Sequence, residues 1–313
     1  MKVSIIIPFL NEEENIVSLT EALSNYFEIE TRFEVEVIFV NDGSTDNSKK
    51  IILEQNHKNY SCKIISLSKN YGSHAALRAG IFHADGDYIT FIYADLQDPI
   101  NLISKLYDKT ENRKVEIIWA TRKSTSNGFF ESSFSKFYSS LMKKYVSSSY
   151  PDNGFDIVMF SSKVAKVISQ NIEANSSIFL QILTLGFNQD FILYEKKQRE
   201  KGVSKWTLSK KIKLFIDSFI AFSYAPIRFV TIIGITLFLF GIGFSIYLMI
   251  RKTVYDDLVS GWPMLISILT VGFGVTNISL GIIAEYLWRT FDSSRKRPVF
   301  IIDDIIELKK IRK

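Results

Sequence analysis

Tyr88-Ile89-Thr90-Phe91-Ile92-Tyr93-Ala94-Asp95-Leu96-Gln97-Asp98-Pro99 is the stretch whose reading decides the fold of this chain. The apolar run Tyr88–Ile92 ends abruptly in acidic and amide oxygens, as expected of a buried strand whose carboxyl end opens on solvent. In open α/β sheets that edge is where ligands bind. Asp95 and Gln97 offer the oxygen ligands that Mg²⁺ and Mn²⁺ prefer, and such ions often complete their shell with substrate phosphates. The stretch therefore predicts a divalent metal beside a diphosphate.

Similar runs occur at Val3–Ile7, Val35–Val40, Ile64–Leu67 and Ile117–Ala120, nearly continuous in apolar residues. Helical patterns lie between them. Ile16, Leu19, Leu23 and Phe27 form one stripe behind the acidic turn Glu12-Glu13-Glu14. A second helix opens at Asp42-Gly43-Ser44-Thr45-Asp46 and a third after Tyr71-Gly72-Ser73. Repeated strand–helix–strand order with short connections predicts a parallel, doubly wound sheet. The first, second and fourth strands then end in Pro8 with Asn11 and Glu12, Asn41 with Asp42, and Asp95 with Gln97 and Asp98. On one edge these groups make a cleft for a nucleotide. Singly, each reads as a helix start, a turn or a cap, and Asp98 before Pro99 is assigned mainly to capping.

The chain has 313 residues, 47% of them hydrophobic, and the charges are unevenly placed. Phe229–Ile250 and Leu258–Ala284 contain none, and each exceeds the roughly 20 apolar residues that cross a bilayer. Two transmembrane helices are expected, at about 227–250 and 260–286. Lys205, Lys210, Lys211, Lys213 and Arg228 precede the pair; Arg289, Arg295, Lys296 and Arg297 follow it. This bias places the catalytic domain and both termini in the cytoplasm, with a short hairpin loop outside the cell membrane. The net charge of +5 is explained by these membrane-flanking residues and calls for no nucleic-acid partner. Thr207–Phe222 is amphipathic, with Leu208, Ile212, Phe215, Phe219 and Ile220 opposite Lys210, Lys213 and Asp217, and reads as an interfacial helix.

The expected layout is a catalytic domain at 1–206, an interfacial helix at 207–225, the transmembrane pair at 226–288 and a cytoplasmic C-terminal segment at 289–313. The spacing of Phe130, Phe134, Phe137, Tyr138, Leu141 and Tyr145 predicts a helix between Asn127 and Val146 that faces the core or lies on the bilayer surface, with core packing favoured. The opening run Val3–Leu10 is too short for a secretion signal and leads into Asn11-Glu12-Glu13-Glu14. The single cysteine, Cys62, excludes an internal disulfide framework and suits a reducing compartment. His57, His74 and His83 lack the spacing of metal ligands and read as surface or packing residues.

Ile5-Ile6-Ile7-Pro8 with Asn11-Glu12, and Val40-Asn41-Asp42-Gly43-Ser44-Thr45-Asp46, resemble the opening of family 2 glycosyltransferases of the GT-A fold. Leu67-Ser68-Lys69-Asn70-Tyr71-Gly72, Ala75-Ala76-Leu77, Gly86-Asp87 and Ala94–Pro99 narrow the likeness to polyprenyl-phosphate glycosyltransferases, relatives of dolichol-phosphate mannose synthase. Gly202-Val203-Ser204-Lys205-Trp206, Ala284-Glu285-Tyr286-Leu287 and Arg297-Pro298-Val299-Phe300 are similar to that group's later segments, so the resemblance covers nearly the whole chain. It implies a GT-A domain, Rossmann-like with a mostly parallel sheet, that transfers a sugar from a nucleotide donor, UDP-linked by preference, to a polyprenyl phosphate in the bilayer, by an inverting displacement. It also suggests self-association.

Carried over by position, the resemblance implies that Pro8, Glu12 and Asp42 hold the nucleoside, with Asn11, Asn41, Lys69 and Tyr93 beside them. It gives Asp95 and Gln97 to the metal, and Arg199, Ser204 and Lys205 to the phosphate and acceptor side. Three departures stand out. Tyr93 replaces the first carboxylate of an Asp-x-Asp motif, and Asn41 replaces an acidic partner of Asp42. In the third motif the order Gly154-Phe155-Asp156-Ile157 leaves Asp152 and Asp156 both eligible as the acceptor-side aspartate, with Asp156 favoured.

A lipid monophosphate is anionic near neutral pH, since its second pKa is about 6. It attacks an anomeric carbon with little help from a base. Stabilising the departing nucleoside diphosphate is the harder task, one for a divalent cation with nearby Lys or Arg. Two rivals are a processive polysaccharide synthase and a noncatalytic membrane scaffold with a nucleotide-binding fold. The first lacks its Gln-x-x-Arg-Trp motif and further spans here; the second draws on Tyr93.

Overall fold

Apolar runs covered on both faces become the central strands of one mixed sheet. The computed structural model describes residues 1–110, 114–123, 138–151, 154–171, 176–196, 225–255, 261–295 and 297–308. Strands β1 (Lys2–Phe9), β2 (Glu34–Asn41), β3 (Ser61–Leu67), β4 (Tyr88–Phe91), β5 (Ile117–Arg122), β6 (Phe155–Ser161), β7 (Gln189–Tyr194) and β8 (Ile302–Leu308) lie in the order β7-β5-β6-β4-β1-β2-β3-β8. β1 pairs in parallel with β2 and β4, β2 with β3, and β5 with β7. β6 runs antiparallel to β4 and β5, and β8 antiparallel to β3. The sheet is therefore mostly parallel, as expected, with β6 and β8 as the antiparallel strands.

Helices cover both faces. Odd-numbered residues of β1 and β2, from Val3 to Phe39, pack with α1 (Glu13–Ile29), α2 (Ser48–Glu54) and α4 (Leu102–Lys109) through Ile16, Leu19, Leu23, Phe27, Ile52, Leu102 and Leu106. The opposite face carries Ile6, Ile38, Phe91, Trp119 and Phe160, covered by α3 (Ser73–Phe82), α5 (Ser162–Gln170) and α6 (Ile178–Thr184). Phe179 of α6 meets Phe91 edge-on at 5.9 Å. On α3, Gly80 sits so close to β1 that a Cβ there would lie 2.3 Å from Ile6 Cγ2.

The chain forms two compact units, 1–215 with 298–313, and 216–297. The C-terminal segment thus carries β8, which closes the β3 edge rather than trailing in solvent. Its alternating exposure fits an edge strand, with Ile306 and Leu308 packed on the core. Lys49 on α2 reaches both Asp304 oxygens at 2.9 and 3.0 Å, and Lys63 lies 3.5 Å from Glu307. In the second unit, α7 (Ala225–Tyr255) and α8 (Trp262–Ser294) cover the two apolar runs. Among the described residues one stretch, Val271–Asp292 of α8, is long and apolar enough to cross a membrane; α7 contributes the shorter apolar stretch Arg228–Phe244.

Residues 207–224 and 127–137, on which an interfacial helix and part of a core-facing helix are expected, lie outside the described residues. Residues 138–145 are helical, but they bury Ser139 and Met142 and leave Tyr145 exposed. The stripe that chose Tyr145 as a core position is therefore misplaced there. His57 is a packing residue, bound to the Tyr60 hydroxyl at 3.0 Å and the Ile52 carbonyl at 2.8 Å. His74 packs edge-on against Phe179 at 6.0 Å, and burial pushes its imidazole down to about 4, with Arg78 adding to the shift.

At Gly80, alanine would gain up to about 1 kcal/mol of helix propensity but overpack Ile6 at a cost of roughly 1–3 kcal/mol. Gly80→Ala is expected to lower Tm, as measured by thermal unfolding of the full chain in detergent. An unchanged or raised Tm would show that α3 and β1 are less tightly joined than their spacing indicates.

Candidate active site

β2 and β3 lie on one side of β1 and β4 on the other, so the crossovers diverge between the carboxyl ends of β1 and β4. Ligands bind at such switch points. The β1–β4 ladder stops at Ile6 and Phe91, with one further bond of 3.1 Å from the Ile92 N–H to the Ile6 carbonyl. The next rung would need an N–H from residue 8, and Pro8 has none. On its other side β1 stays paired with β2 through Phe9 and Asn41.

Above that edge the loops after β1 and β2 hold each other. Asn11 adopts a left-handed φ of 51°, which asparagine tolerates better than most residues, and its Oδ1 accepts the Thr45 N–H at 2.8 Å. The Asn11 and Glu12 N–H groups donate in return to Ser44 Oγ at 3.0 Å and Ser48 Oγ at 2.8 Å. Asn41 Oδ1 accepts the Ser44 N–H at 2.8 Å, a local side chain-to-backbone bond that starts the second loop. Glu12 is half-buried and accepts Asn15 Nδ2 at 2.7 Å.

Asp42 ties this pair to a third loop. Its Oδ1 accepts the Tyr71 N–H at 2.7 Å, and its Oδ2 accepts the Gly72 N–H at 2.9 Å. Burial pushes the Asp42 carboxyl above its ordinary value, and the two backbone donors oppose that shift. Gly43 follows with φ +73°, where a Cβ would come within 2.6 Å of the Asn70 nitrogen and the Lys69 carbonyl carbon. Lys69 is exposed, its ammonium 5.1 Å from the Tyr71 ring.

After β4 the backbone leaves the sheet in a turn. Tyr93, Asp95 and Gln97 are half-buried, Asp95 Oδ1 accepts the Gln97 N–H at 3.3 Å, and Leu96 between them has a left-handed φ of 56°. Two oxygen-bearing side chains on one turn at a cleft edge fit Mg²⁺, which keeps several waters and takes few protein ligands beside substrate phosphates. No cluster of three or more His, Cys, Asp or Glu suited to a metal occurs among the described residues. Asp98 is buried, accepts the Tyr194 hydroxyl at 2.8 Å and lies 3.7 Å from Lys196 Nζ, so it ties this turn to β7 and the residues after it.

Because β6 runs antiparallel, its amino end meets the same edge. Ala120 pairs with Ile157 but Thr121 pairs with Phe155, which leaves Asp156 as the extra residue of a β-bulge. Bulges re-aim side chains and are over-represented beside active sites. Pro8, Asn11, Glu12, Asn41, Asp42, Lys69, Tyr93, Asp95, Gln97 and the backbone of Asp156 are thus assembled by strand ends and loops of one edge. Asp152, Arg199, Ser204 and Lys205 lie outside the described residues. Sequence reasoning missed Ser44, Thr45, Ser48 and Tyr194, whose partners are far away in the chain.

The family model described as "Glycosyl transferase family 2" matches residues 4–169. An uncharacterized glycosyltransferase of Synechocystis sp. is 32% identical over 309 residues, 97% of this chain and 96% of its own length. A bactoprenol glucosyl transferase of Shigella phage SfV is 30% identical, covering 96% of this chain and 98% of its own. An undecaprenyl-phosphate 4-deoxy-4-formamido-L-arabinose transferase of Proteus mirabilis is also 30% identical, over 100% of this chain and 96% of its own.

Gly186 shares a positive φ with Gly43 but faces open space. Gly186→Ala should therefore cost about 1 kcal/mol from backbone strain alone, and Gly43→Ala roughly 2–4 kcal/mol because collision adds to strain. Chemical denaturation of the two variants side by side reads the difference; equal losses would remove the close approach of the Gly43 and Lys69–Asn70 loops from the argument.

Proposed function

The chain belongs to glycosyl transferase family 2, and from that premise we propose that it moves a monosaccharide from a UDP-sugar to the phosphate of a membrane polyprenyl lipid. The observation that carries the reading is alignment with polyprenyl-phosphate sugar transferases over at least nine-tenths of both chains, helices of the second unit included. The chain is a glycosyltransferase; donor, metal and residue roles are the proposed part.

The nucleoside lies in the loops above β1 and β2, bounded by Pro8, Glu12 and Asp42, with Asn11, Asn41, Lys69 and Tyr93 around it. Hydrogen bonds between those loops fix them before substrate arrives, so little ordering is left for binding to drive. Asp95 and Gln97 would hold Mg²⁺ or Mn²⁺, and the chemistry such an ion would supply is neutralisation of charge on the departing diphosphate. Asp156, at the bulge of β6, orients the acceptor phosphate or takes a residual proton from it; Arg199, Ser204 and Lys205 bind phosphate oxygens. In the displacement an acceptor phosphate oxygen forms the bond to the anomeric carbon while the bond to the nucleoside diphosphate breaks, inverting that carbon.

An acceptor with its tail in a bilayer requires the enzyme to be held there. The segment 216–297 leaves the first unit, and the chain returns to that unit as β8. Both ends of the segment therefore face the same side of any membrane it enters, and the number of crossings is even. With Val271–Asp292 apolar enough to cross, this supports a second crossing by α7 and a two-span hairpin. Basic residues on both flanks put the sheet in the cytoplasm.

Incubating the full chain with radiolabelled UDP-, GDP- and CDP-sugars and polyprenyl phosphate, with and without EDTA, tests the reading. Label should enter lipid from one UDP-sugar and stop when EDTA is added. Asp95→Ala should reduce transfer by roughly a hundredfold or more; substantial metal-dependent turnover in that variant would sink the metal assignment. Asp156→Asn should lose transfer where Asp152→Asn keeps it, and the opposite result would exchange their roles.

A further inference from the structure

At the β7 edge, the sheet face covered elsewhere by α3, α5 and α6 is left partly bare. Phe191 and Leu193 pair with Trp119 and Thr121 of β5 and so share that face; both are exposed, Leu193 to 61%. Edge strands are usually blunted by charge or covered, so two neighbouring exposed apolar residues there stand out. They line a groove of about 370 Å³ whose other described walls include Thr121, Lys143, Tyr150 and Pro151. Tyr150 is buried and packs at 5.1 Å on Phe155, which makes that wall firm.

The groove lies along strands that neighbour the one carrying Asp156. Leu193 pairs with Thr121, and Thr121 pairs with Phe155, the residue next to the bulged Asp156. A surface lined by apolar residues and by a lysine suits hydrocarbon joined to an anion. We propose that this groove seats the first isoprene units of the acceptor lipid, with Phe191 and Leu193 against the hydrocarbon and Lys143 on the phosphate side. The inference rests on the polyprenyl-phosphate acceptor proposed above, and it names the surface by which a long-chain acceptor is told from a short one.

The test compares the full chain with Leu193→Asp and Phe191→Ser in detergent micelles, measuring KM for polyprenyl phosphate and for a water-soluble short-chain isoprenyl phosphate. UDP affinity by calorimetry reports whether each variant is folded on the donor side. Losing a buried leucine-sized contact corresponds to a rise of about tenfold or more in KM for the long-chain acceptor. A much smaller change is expected for the short-chain one. Folded variants with unchanged long-chain KM would overturn the groove and leave the acceptor class standing. So would a change in self-association with KM intact, which would make the groove an interface between copies. Failure of the unmodified chain to label lipid from any donor would overturn the acceptor class, and the groove with it.

Discussion

Because Pro8 carries no N–H, the β1–β4 ladder ends while β1 is still paired with β2, and the polar segments above must find partners in one another. They do so by side chain to backbone. Asn11 holds Thr45, Ser44 and Ser48 hold the loop after β1, and Asp42 holds the loop after β3. None of these bonds belongs to a helix or a strand, yet together they set the floor of the cleft. The same economy explains Gly43, which brings two loop backbones closer than any side chain would permit.

The two ends of the sheet treat charge in opposite ways. At the amino end, Glu36 accepts Ser4 Oγ at 2.7 Å and lies 3.6 Å from Lys63 Nζ, and Ser4 Oγ in turn accepts the Gly86 N–H at 2.9 Å. Burial opposes the Lys63 charge, but Glu36, Asp85 and Glu307 hold its ammonium above the ordinary lysine range. A network satisfied this fully stabilises and specifies the fold, and it is closed to a ligand. At the carboxyl end Asn41 and Asp42 are buried and hold neighbouring loops, while Glu12, Tyr93, Asp95 and Gln97 are half-buried on the loops and turns above the strands.

Continuous apolar runs made the first five strands legible, since a strand buried on both faces has no other way to be written. The same rule hid β6, β7 and β8. Ile302-Asp303-Asp304-Ile305-Ile306-Glu307-Leu308 is an edge strand, and its mixed pattern has meaning only once β3 is beside it. Site residues were legible as types at strand ends, while their partners were not. Asp98 shows why: Pro99 next to it signals a cap, but its bond to Tyr194, 96 residues away, leaves no local trace. Ser44 and Ser48 act across 33 and 36 residues, beyond any local pattern. The bulge at Asp156 depends on register between β5 and β6, which only the folded sheet defines.

The return of the chain as β8 joins two problems into one solution. Without it β3 would be an edge strand, with the N–H and C=O groups of Cys62 to Leu67 open to other chains. Covering that edge with the segment that follows α8 puts both ends of 216–297 on one domain. Lys49–Asp304 and Lys63–Glu307 reinforce the β3–β8 ladder with contacts between β8 and residues already committed to the fold.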